Sequence, residues 1–236
     1  MVAVYKINDL LDADKRILQR WKRNNIKVQL KKNQKILIVG TLNYINQLNK
    51  LGSKKVYAID NNKKPKFLCL ERFKNVKFKK TNFKKINFKN NTFDFIFCNG
   101  ILSHLDNWEM VIKEFYRILR IGGKVWLNVF GNSKFRRLPI SINKKLNLLD
   151  LKKIVKILTI EKWNIQKINY IANMIFWKKR ILFNKNSFES KLKIIGFKKI
   201  KFCRRGVQTD LNEQIFKNKK LKGIFNDGDL RYLISK

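Results

Sequence analysis

Residues 92–105 read Thr-Phe-Asp-Phe-Ile-Phe-Cys-Asn-Gly-Ile-Leu-Ser-His-Leu, and residues 120–131 read Arg-Ile-Gly-Gly-Lys-Val-Trp-Leu-Asn-Val-Phe-Gly. The first stretch predicts a buried strand followed by a polar turn. The second predicts a helix stop at two glycines and then another buried strand. Between them, residues 107–119 carry apolar side chains at a spacing of about 3.6 residues, which predicts an amphipathic helix. This order favours parallel strands joined by helices.

Shorter apolar runs upstream extend the pattern. Residues 35–40, Lys-Ile-Leu-Ile-Val-Gly, and residues 55–60, Lys-Val-Tyr-Ala-Ile-Asp, each predict a buried parallel strand, and residues 76–80 predict a further one. Doubly wound sheets of this kind bind ligands beyond the carboxyl ends of their strands. Four small or polar residues stand at or just past these predicted strand ends: Gly40, Asp60, Asn82 and Asn99.

The chain divides by pattern into four segments. Residues 1–34 predict a helical lead-in, with near-helical apolar spacing over 5–30, and residues 35–131 predict the ligand-binding half of the sheet. Residues 132–186 predict a helical insertion over the ligand edge. Residues 187–236 predict a helix and two last strands that complete the same domain. The predicted class is therefore α/β, a doubly wound sheet with a helical insertion.

The segment 92–131 resembles the central part of class I S-adenosylmethionine-dependent methyltransferases. In that family an aspartate opens an apolar strand, a short loop ends in His-Leu, a helix ends in Arg-x-Leu-Lys/Arg-x-Gly-Gly, and a second apolar strand follows. Residues 51–60 are also similar to the family pattern Leu-Gly-x-x-x-Val-x-Gly-x-Asp. The resemblance implies a Rossmann-like, mostly parallel sheet with an antiparallel C-terminal hairpin. It also implies S-adenosylmethionine as the cofactor.

Asp60 and Asn82 are the candidates for the nucleoside part of this cofactor. The two oxygens of a carboxylate match a vicinal diol, and the resemblance implies that Asp60 accepts hydrogen bonds from the ribose hydroxyls. The alternative is that Asp60 caps the following helix. Asn82 stands where the family usually has an acid that contacts the adenine amino group, and Phe83 is expected to pack on the ring. The alternative for Asn82 is an ordinary loop asparagine.

Asn99, Gly100 and His104 belong to the loop that, in the resembled family, flanks the methionine part of the cofactor. Gly100 provides the small residue that a chain passing close under a ligand needs. His104 matches a histidine often seen in the family and is the one candidate for a general base, since the charge of an imidazole is tunable near neutral pH. The alternative is a structural or pocket-lining histidine. The catalytic residues are otherwise unassigned, and no metal is expected.

The first loop departs from the family pattern, which has an acid in the first strand followed by Gly-x-Gly-x-Gly. Ile38 stands in place of the acid, and Gly40 alone remains of the glycines. Four residues follow: Thr41 and Asn43, predicted to contact the cofactor, and Leu42 and Tyr44, predicted to crowd its carboxylate end. The cofactor is therefore expected either to be held differently here or not to be held.

Three other acidic and basic residues of the segment receive structural interpretations. Asp94 opens a strand and is expected to orient the neighbouring loop or to pair with a lysine. Glu114 and Arg117 lie three residues apart on the predicted helix and are expected to form a surface ion pair. None of the three is expected to act in catalysis.

The chain is extremely basic: it has 55 basic and 16 acidic residues, which gives a net charge of +39. Such a field attracts polyanions, so nucleic acid is one predicted partner. The alternative, which we favour, is compositional drift scattered over solvated faces, with a small-molecule substrate. A functional cluster would lie around the carboxyl edge and the insertion, with these candidates: Lys134, Arg136, Arg137, Lys144, Lys145, Lys178, Lys179 and Arg180.

The three cysteines show no Cys-x-x-Cys spacing, and the single histidine makes a histidine-based metal site improbable. No apolar run reaches the length of a membrane span. These features predict a soluble, cytoplasmic protein with reduced thiols. They leave its oligomeric state open.

Three functions compete. The leading prediction is transfer of a methyl group from S-adenosylmethionine to an oxygen, nitrogen or carbon of a small molecule. The alternative is a non-catalytic methyltransferase-like domain that binds nucleic acid or another polyanion, which the altered first loop and the charge favour. A nicotinamide-dependent oxidoreductase is disfavoured, because Gly40 begins no Gly-x-Gly-x-x-Gly run.

Overall fold

The computed structural model describes residues 16–40, 48, 51–61, 76–134, 137, 160, 180–207, 220 and 228–236. Most of residues 41–50, and most of the insertion predicted over 132–186, lie outside the described residues.

Seven strands of the described residues form one sheet. They are β1 Lys35–Val39, β2 Lys55–Asp60, β3 Val76–Lys80, β4 Phe93–Asn99, β5 Leu119–Val129, β6 Lys199–Phe202 and β7 Leu230–Ser235. Their order is β3-β2-β1-β4-β5-β7-β6. The first five strands pair in parallel, whereas β7 is antiparallel to both β5 and β6. The predicted mostly parallel, Rossmann-like sheet with an antiparallel C-terminal hairpin is confirmed.

The strands differ in burial according to their place in the sheet. β1 lies in the middle, and four of its five residues are buried, because both of its faces are covered. β3 lies at an edge and exposes Lys77, Lys79 and Lys80. Charged side chains on an edge strand discourage pairing with the edge of another sheet.

Two α-helices of the described residues pack together on one face of the sheet: α1 Trp108–Ile118 and α2 Lys185–Ile195. The buried residues of α1 recur three or four apart, as the sequence predicted: Val111, Ile112, Phe115 and Ile118. Asn184 caps α2, since its side chain accepts from two backbone N–H groups of the first turn. The helix ends at Gly196, whose φ of 117° is left-handed.

The other face of the sheet is covered by the helical residues 16–23. Trp21 is the centre of this second core, with edge-on ring contacts to Phe95, Phe97 and Trp126 at centroid distances of 6.0, 6.4 and 5.8 Å. Apolar residues of β1 therefore alternate between two cores. Leu37 and Val39 pack with α1 and α2, whereas Ile36 and Ile38 pack with Trp21.

The N-terminal helix is shorter at its C-terminal end than the spacing over 5–30 predicted. Helical structure ends at residue 23, and Asn25 has a left-handed φ of 50°. The side chain of Asn24 donates to the carbonyl of Arg205 at 2.7 Å and accepts from its N–H at 3.1 Å. A contact with a segment distant in sequence thus fixes this turn.

The glycine pair after α1 is not the helix stop that the sequence predicted. The helix ends at Ile118, and Leu119 already pairs with Phe93 as the first residue of β5. The register then shifts before Phe95, which leaves the glycines in a bulge where Gly122 has φ 74°. Glycine is needed here to bend a strand rather than to end a helix.

Asp94 holds the edge of the sheet opposite the predicted ligand edge. Its carboxylate accepts from the backbone N–H of Lys35 at 2.7 Å and from Nη1 of Arg120 at 3.2 Å. The predicted orienting role therefore has a described partner on β1, and the ion pair is made with an arginine.

Glu114 and Arg117 form the predicted ion pair, with Oε1 and Nε 2.7 Å apart. The pair also makes hydrogen bonds to the backbone of another segment. Arg117 also donates to the carbonyls of Ile86 and Phe88, both at 2.8 Å. Glu114 accepts from the backbone N–H of Ile86 at 2.7 Å. The two side chains thereby fasten the connection between β3 and β4 to α1. The hydrogen bond from Arg117 lowers the pKa of Glu114 below its ordinary value.

The first testable prediction concerns this network. A carboxylate with a lowered pKa stabilises the folded state above its ordinary pKa, 4.5, and loses that effect as the pH falls through the lowered value. Glu114→Gln should therefore reduce the free energy of unfolding by about 1–2 kcal/mol at pH 7. Urea unfolding at several pH values should show this difference shrinking below pH 4.5.

The matched control is Glu189→Gln. Glu189 forms an i,i+4 ion pair with Lys185 on α2, and such pairs contribute little. Its substitution should change the free energy of unfolding by less than about 0.5 kcal/mol. A deficit of Glu114→Gln that stays constant as the pH falls would show that the charge of Glu114 is not what stabilises the connection.

Candidate active site

A row of polar residues crosses the carboxyl edge of the sheet. Asn99, the last residue of β4, is paired with Asn128 on β5, and Asn128 is paired in turn with Arg231 on β7. Three neighbouring strands thus present polar side chains at one level. Such a row at the carboxyl ends of parallel strands is where doubly wound sheets bind their ligands.

The same row continues across the first two strands. Val39 on β1 is paired with Ile59 on β2 and with Cys98 on β4. The residues that follow these three are Gly40, Asp60 and Asn99, and they are therefore level with one another. Gly40 and Asp60 thus belong to the same row as Asn99. We call these residues the edge row: Asp60, Gly40, Asn99, Asn128 and Arg231.

The side chains of the edge row lie on one face of the sheet. Side chains alternate along a strand, so residues two apart share a face. Ala58, Phe97 and Trp126 stand two residues before Asp60, Asn99 and Asn128, and all three belong to the core around Trp21. The edge row therefore lies on the face that the N-terminal helical residues cover.

Asp60 is buried at this edge, with 8% of its surface exposed. Its backbone carbonyl accepts from the N–H of Thr81 at 2.9 Å, which ties the end of β2 to the segment after β3. The two oxygens of a carboxylate can accept hydrogen bonds from both hydroxyls of a diol. The structure thus places Asp60 where the sequence predicted a ribose-binding acid. Its contact with a ribose remains a prediction.

Gly40 and Gly100 have left-handed backbones for different reasons. At Gly40, with φ 70°, an added Cβ would lie 2.8 Å from Cγ1 of Ile101. At Gly100, with φ 85°, an added Cβ would meet no atom within 4 Å. Gly40 is therefore closely packed, whereas Gly100 faces open space that a ligand can approach. The N–H of Gly100 donates to the carbonyl of Asn128 at 2.8 Å and joins this loop to β5.

Asn99 is half-buried, and its Oδ1 accepts from the indole Nε1 of Trp126 at 3.4 Å. Trp126 is fully buried, so this contact provides its indole N–H with an acceptor. The orientation of the Asn99 amide is thereby coupled to the core below it.

Asn82 and Phe83 are placed differently from the edge row. Asn82 is exposed, and its Oδ1 accepts from the backbone N–H of Lys84 at 2.9 Å, an arrangement typical of a turn. Phe83 is 3% exposed and belongs to the core around α1. The adenine contacts predicted for both residues remain predictions.

His104 ends a 3-10 helix that spans Ile101–His104. Its ring packs edge-on against Phe130 at a centroid distance of 5.4 Å. The preceding residue, Ser103, is fully buried and accepts from the N–H of Phe130 at 2.8 Å, which holds this helix against the end of β5. Whether His104 acts as a base or lines the pocket stays a prediction. Thr41 and Asn43, together with Leu42 and Tyr44, lie outside the described residues.

Sequence reasoning missed Asn128 and Arg231. Asn128 interrupts the apolar run Val-Trp-Leu-Asn-Val of β5, and Arg231 interrupts that of β7. The guanidinium of Arg231 is 1% exposed, and its Nη2 lies 3.7 Å from Oδ2 of Asp229. A polar residue inside an otherwise apolar strand, one residue before its end, is the signal that would have found Asn128.

The remaining features of the described residues concern thiols, metal sites and membrane-spanning helices. Burial raises the pKa of Cys98 far above its ordinary value and raises that of Cys203 to about 11, so both stay protonated. Within the described ranges, no group of three or more histidine, cysteine or acidic residues could hold a metal ion. The helices described contain none that is long and apolar enough to cross a membrane.

Comparison with known proteins bears on the class of the domain. Residues 38–127, from β1 to β5, match the family model described as a methyltransferase domain. No curated protein matches the sequence. The match over these residues and the shared fold support the superfamily of class I S-adenosylmethionine-dependent methyltransferases.

Solved structures share the fold at low sequence identity. An S-adenosylmethionine-dependent methyltransferase from Archaeoglobus fulgidus is 13% identical, with a TM-score of 0.60 and 93% of each chain covered. One from Thermotoga maritima is 16% identical, with a TM-score of 0.58, covering 96% of this chain and 90% of that one. Phosphoethanolamine N-methyltransferase 2 of Haemonchus contortus, in complex with phosphomonomethylethanolamine and S-adenosylhomocysteine, is 16% identical. Its TM-score is 0.53, and the match covers 97% of this chain and 52% of that one.

The second testable prediction separates the two glycines. Gly100→Ala should reduce the free energy of unfolding by about 1–2 kcal/mol, the cost of a left-handed backbone for a residue with a Cβ. Gly40→Ala should cost more, because its Cβ would also press on Ile101. Urea unfolding of both variants measures the difference.

The double variant Gly40→Ala/Ile101→Ala is the control. Shortening Ile101 should recover part of the deficit of Gly40→Ala, once compared with Ile101→Ala alone. Equal losses for the two single glycine variants would contradict the close packing described at Gly40.

Proposed function

We propose that the protein transfers the methyl group of S-adenosylmethionine to a small molecule at the edge row. The observation that carries the proposal is the buried carboxylate of Asp60, level with Gly40 at the carboxyl edge, in a chain whose residues 38–127 match a methyltransferase domain. A carboxylate at the end of the second strand can accept hydrogen bonds from both hydroxyls of a vicinal diol, which is the chemistry that a ribose requires.

The part of the edge row from Asp60 to Asn99, together with Gly100, fits the cofactor. Asp60 would accept the ribose hydroxyls, and the open space at Gly100 would receive the methionine part. Asn99, next to that space, offers an amide beside the methionine part. Ile38 stands where the resembled family pattern has an acid in the first strand, and it is fully buried in the core. Binding of the methionine end would therefore depend on other residues.

The bound cofactor supplies an activated methyl group, so the protein's task is to position the two reactants. A positioned pair reacts much faster than a freely diffusing one, since the entropy of bringing them together has been lost on binding. The rigid parallel strands provide this precision, because their register fixes the edge row. The described residues of the site offer His104 as the one candidate for moving a proton.

The third testable prediction examines Asp60. Asp60→Ala should weaken the binding of S-adenosylhomocysteine about 10- to 100-fold, because a charge-assisted acceptor for two hydroxyls is lost. Titration calorimetry on wild type and variant measures the two affinities. Asp60→Asn, which keeps an acceptor oxygen and loses the charge, should fall between them.

Glu189→Ala is the matched control, because Glu189 is a carboxylate on α2 paired with Lys185 away from the edge row. It should bind S-adenosylhomocysteine as the wild type does. An unchanged affinity of Asp60→Ala would remove Asp60 from the site, and a wild type that fails to bind would favour the non-catalytic alternative.

A polyanion-binding role is favoured by the altered first loop and by the net charge of +39. The described lysines are spread over both edge strands of the sheet, with Lys77 and Lys79 on β3 and Lys199 and Lys201 on β6. Of the predicted cluster, Lys134 and Arg137 are exposed, and Arg180 packs over the ring of Phe130. The other five candidates lie outside the described residues. This spread supports a small-molecule acceptor.

The fourth testable prediction follows from the scattered charge. Binding to a short single-stranded RNA should be weak and should vanish with modest salt, as each phosphate contact adds about 0.7–0.9 to the slope of log affinity against log salt. Fluorescence titration across several salt concentrations gives the slope. Tight binding at physiological salt that is lost in Arg136→Ala/Arg137→Ala would instead establish a nucleic-acid partner.

A further inference from the structure

Asn128 is a buried amide that the proposed cofactor contacts leave unused. It is 8% exposed, and within the described part of the chain its Oδ1 has no hydrogen-bond partner. A buried acceptor without a donor destabilises the folded chain, so its retention needs an explanation. The position supplies one, because Asn128 lies in the edge row between Asn99 and Arg231.

The edge row is longer than the proposed cofactor contacts require. Neighbouring strands lie about 4.8 Å apart, so the three strand spacings from Asp60 on β2 to Asn128 on β5 amount to about 14 Å. With the ribose at Asp60 and the methionine part over Gly100, β5 is left for the second reactant. A 2.8 Å hydrogen bond from the N–H of Gly100 to the carbonyl of Asn128 connects β5 to the loop over which the methionine part would lie.

Resting on the proposed function, we propose that Asn128 Oδ1 accepts a hydrogen bond from the N–H of the methyl acceptor, which is a neutral nitrogen nucleophile. An amide oxygen accepts a hydrogen bond but takes no proton at neutral pH. It is therefore suited to hold a nucleophile that already has a free lone pair. A neutral amine meets this requirement, whereas a hydroxyl would also need a base.

The charges near Asn128 favour a neutral acceptor over an ammonium ion. Arg231, its neighbour in the edge row, is buried and carries a positive charge. The carboxylate of Asp229 lies 3.7 Å from that guanidinium and is engaged by it. A second positive charge close to a buried guanidinium is disfavoured, which lowers the pKa of an amine bound there.

The transfer balances without a further reagent. The nitrogen lone pair forms the new bond to the methyl carbon, and the bond from that carbon to sulfur breaks with its electron pair going to sulfur. The acceptor nitrogen becomes a cation and then releases its proton to solvent. Asn128 holds the N–H during this step and receives no proton itself.

A matched pair of probes tests this assignment before the acceptor is known. Both are S-adenosylhomocysteine analogues in which nitrogen replaces sulfur; one carries a 2-hydroxyethyl group on that nitrogen and the other an n-propyl group. The two groups have nearly the same size, and only the hydroxyethyl group ends in a hydrogen-bond donor. The wild type should bind the hydroxyethyl probe about tenfold more tightly than the propyl probe.

The variants assign the preference to one residue. Asn128→Leu should abolish it while leaving the affinity for S-adenosylhomocysteine within about twofold of the wild type. Asn128→Asp, which keeps an acceptor oxygen, should retain it. Asn128→Ala removes the amide without added bulk and provides the same comparison where the leucine variant does not fold. Asn33→Leu, at an exposed position before β1 on the opposite edge, is the control and should retain the full preference.

Stability provides a readout that a purely structural asparagine would not give. Because Oδ1 is unpaired in the absence of a ligand, Asn128→Leu should unfold at the same temperature as the wild type or at a higher one. A large loss of thermal stability would show that Asn128 serves the fold and would overturn the proposal.

The binding outcomes distinguish failure of the proposed function from failure of the role assigned to Asn128. Failure of the wild type to bind S-adenosylhomocysteine would overturn the proposed function and this inference with it. Normal binding without a preference for the hydroxyethyl probe, or a preference that persists in Asn128→Leu, would overturn the role of Asn128 alone.

Discussion

The pairing of β1 with β2 on one side and β4 on the other is the constraint on which the rest of the structure depends. β1 has four buried residues and alternates its side chains between two cores, so its register cannot slip by one residue without exposing an apolar set. That register makes Gly40, Asp60 and Asn99 level with one another. The site is thus a consequence of core packing, since no loop is needed to bring these three residues together.

The edge row also gives the site a direction. Its β2 end carries a buried acid suited to a diol, and Gly100, which follows Asn99, leaves space above the backbone. Its β5 end carries an amide whose Oδ1 has no hydrogen-bond partner among the described residues, beside a buried guanidinium. These are different chemical environments at a fixed spacing of about 4.8 Å per strand. The proposed order of nucleoside, sulfonium and acceptor follows the same direction.

Much of the fold was predictable from the sequence, because a buried parallel strand is a continuous apolar run that ends in a polar or small residue. The same rule found Asp60 and Asn99, which come at strand ends. It missed Asn128, because that residue is inside a strand and is level with Asn99 only through the pairing of β4 with β5. The role of Glu114 was missed for a related reason: its backbone partner Ile86 is 28 residues away.

The place of β7 in the sheet has a consequence for how the chain is made. β7 spans Leu230–Ser235 and supplies the hydrogen-bonding partner of β5, whose last residue is Val129. During synthesis, β5 is complete about 100 residues before that partner leaves the ribosome. Until then it presents an apolar edge with unsatisfied N–H and C=O groups, the kind of surface that pairs with other nascent chains. The positive charge of the chain would reduce such encounters, because like-charged chains repel one another before their strands can meet.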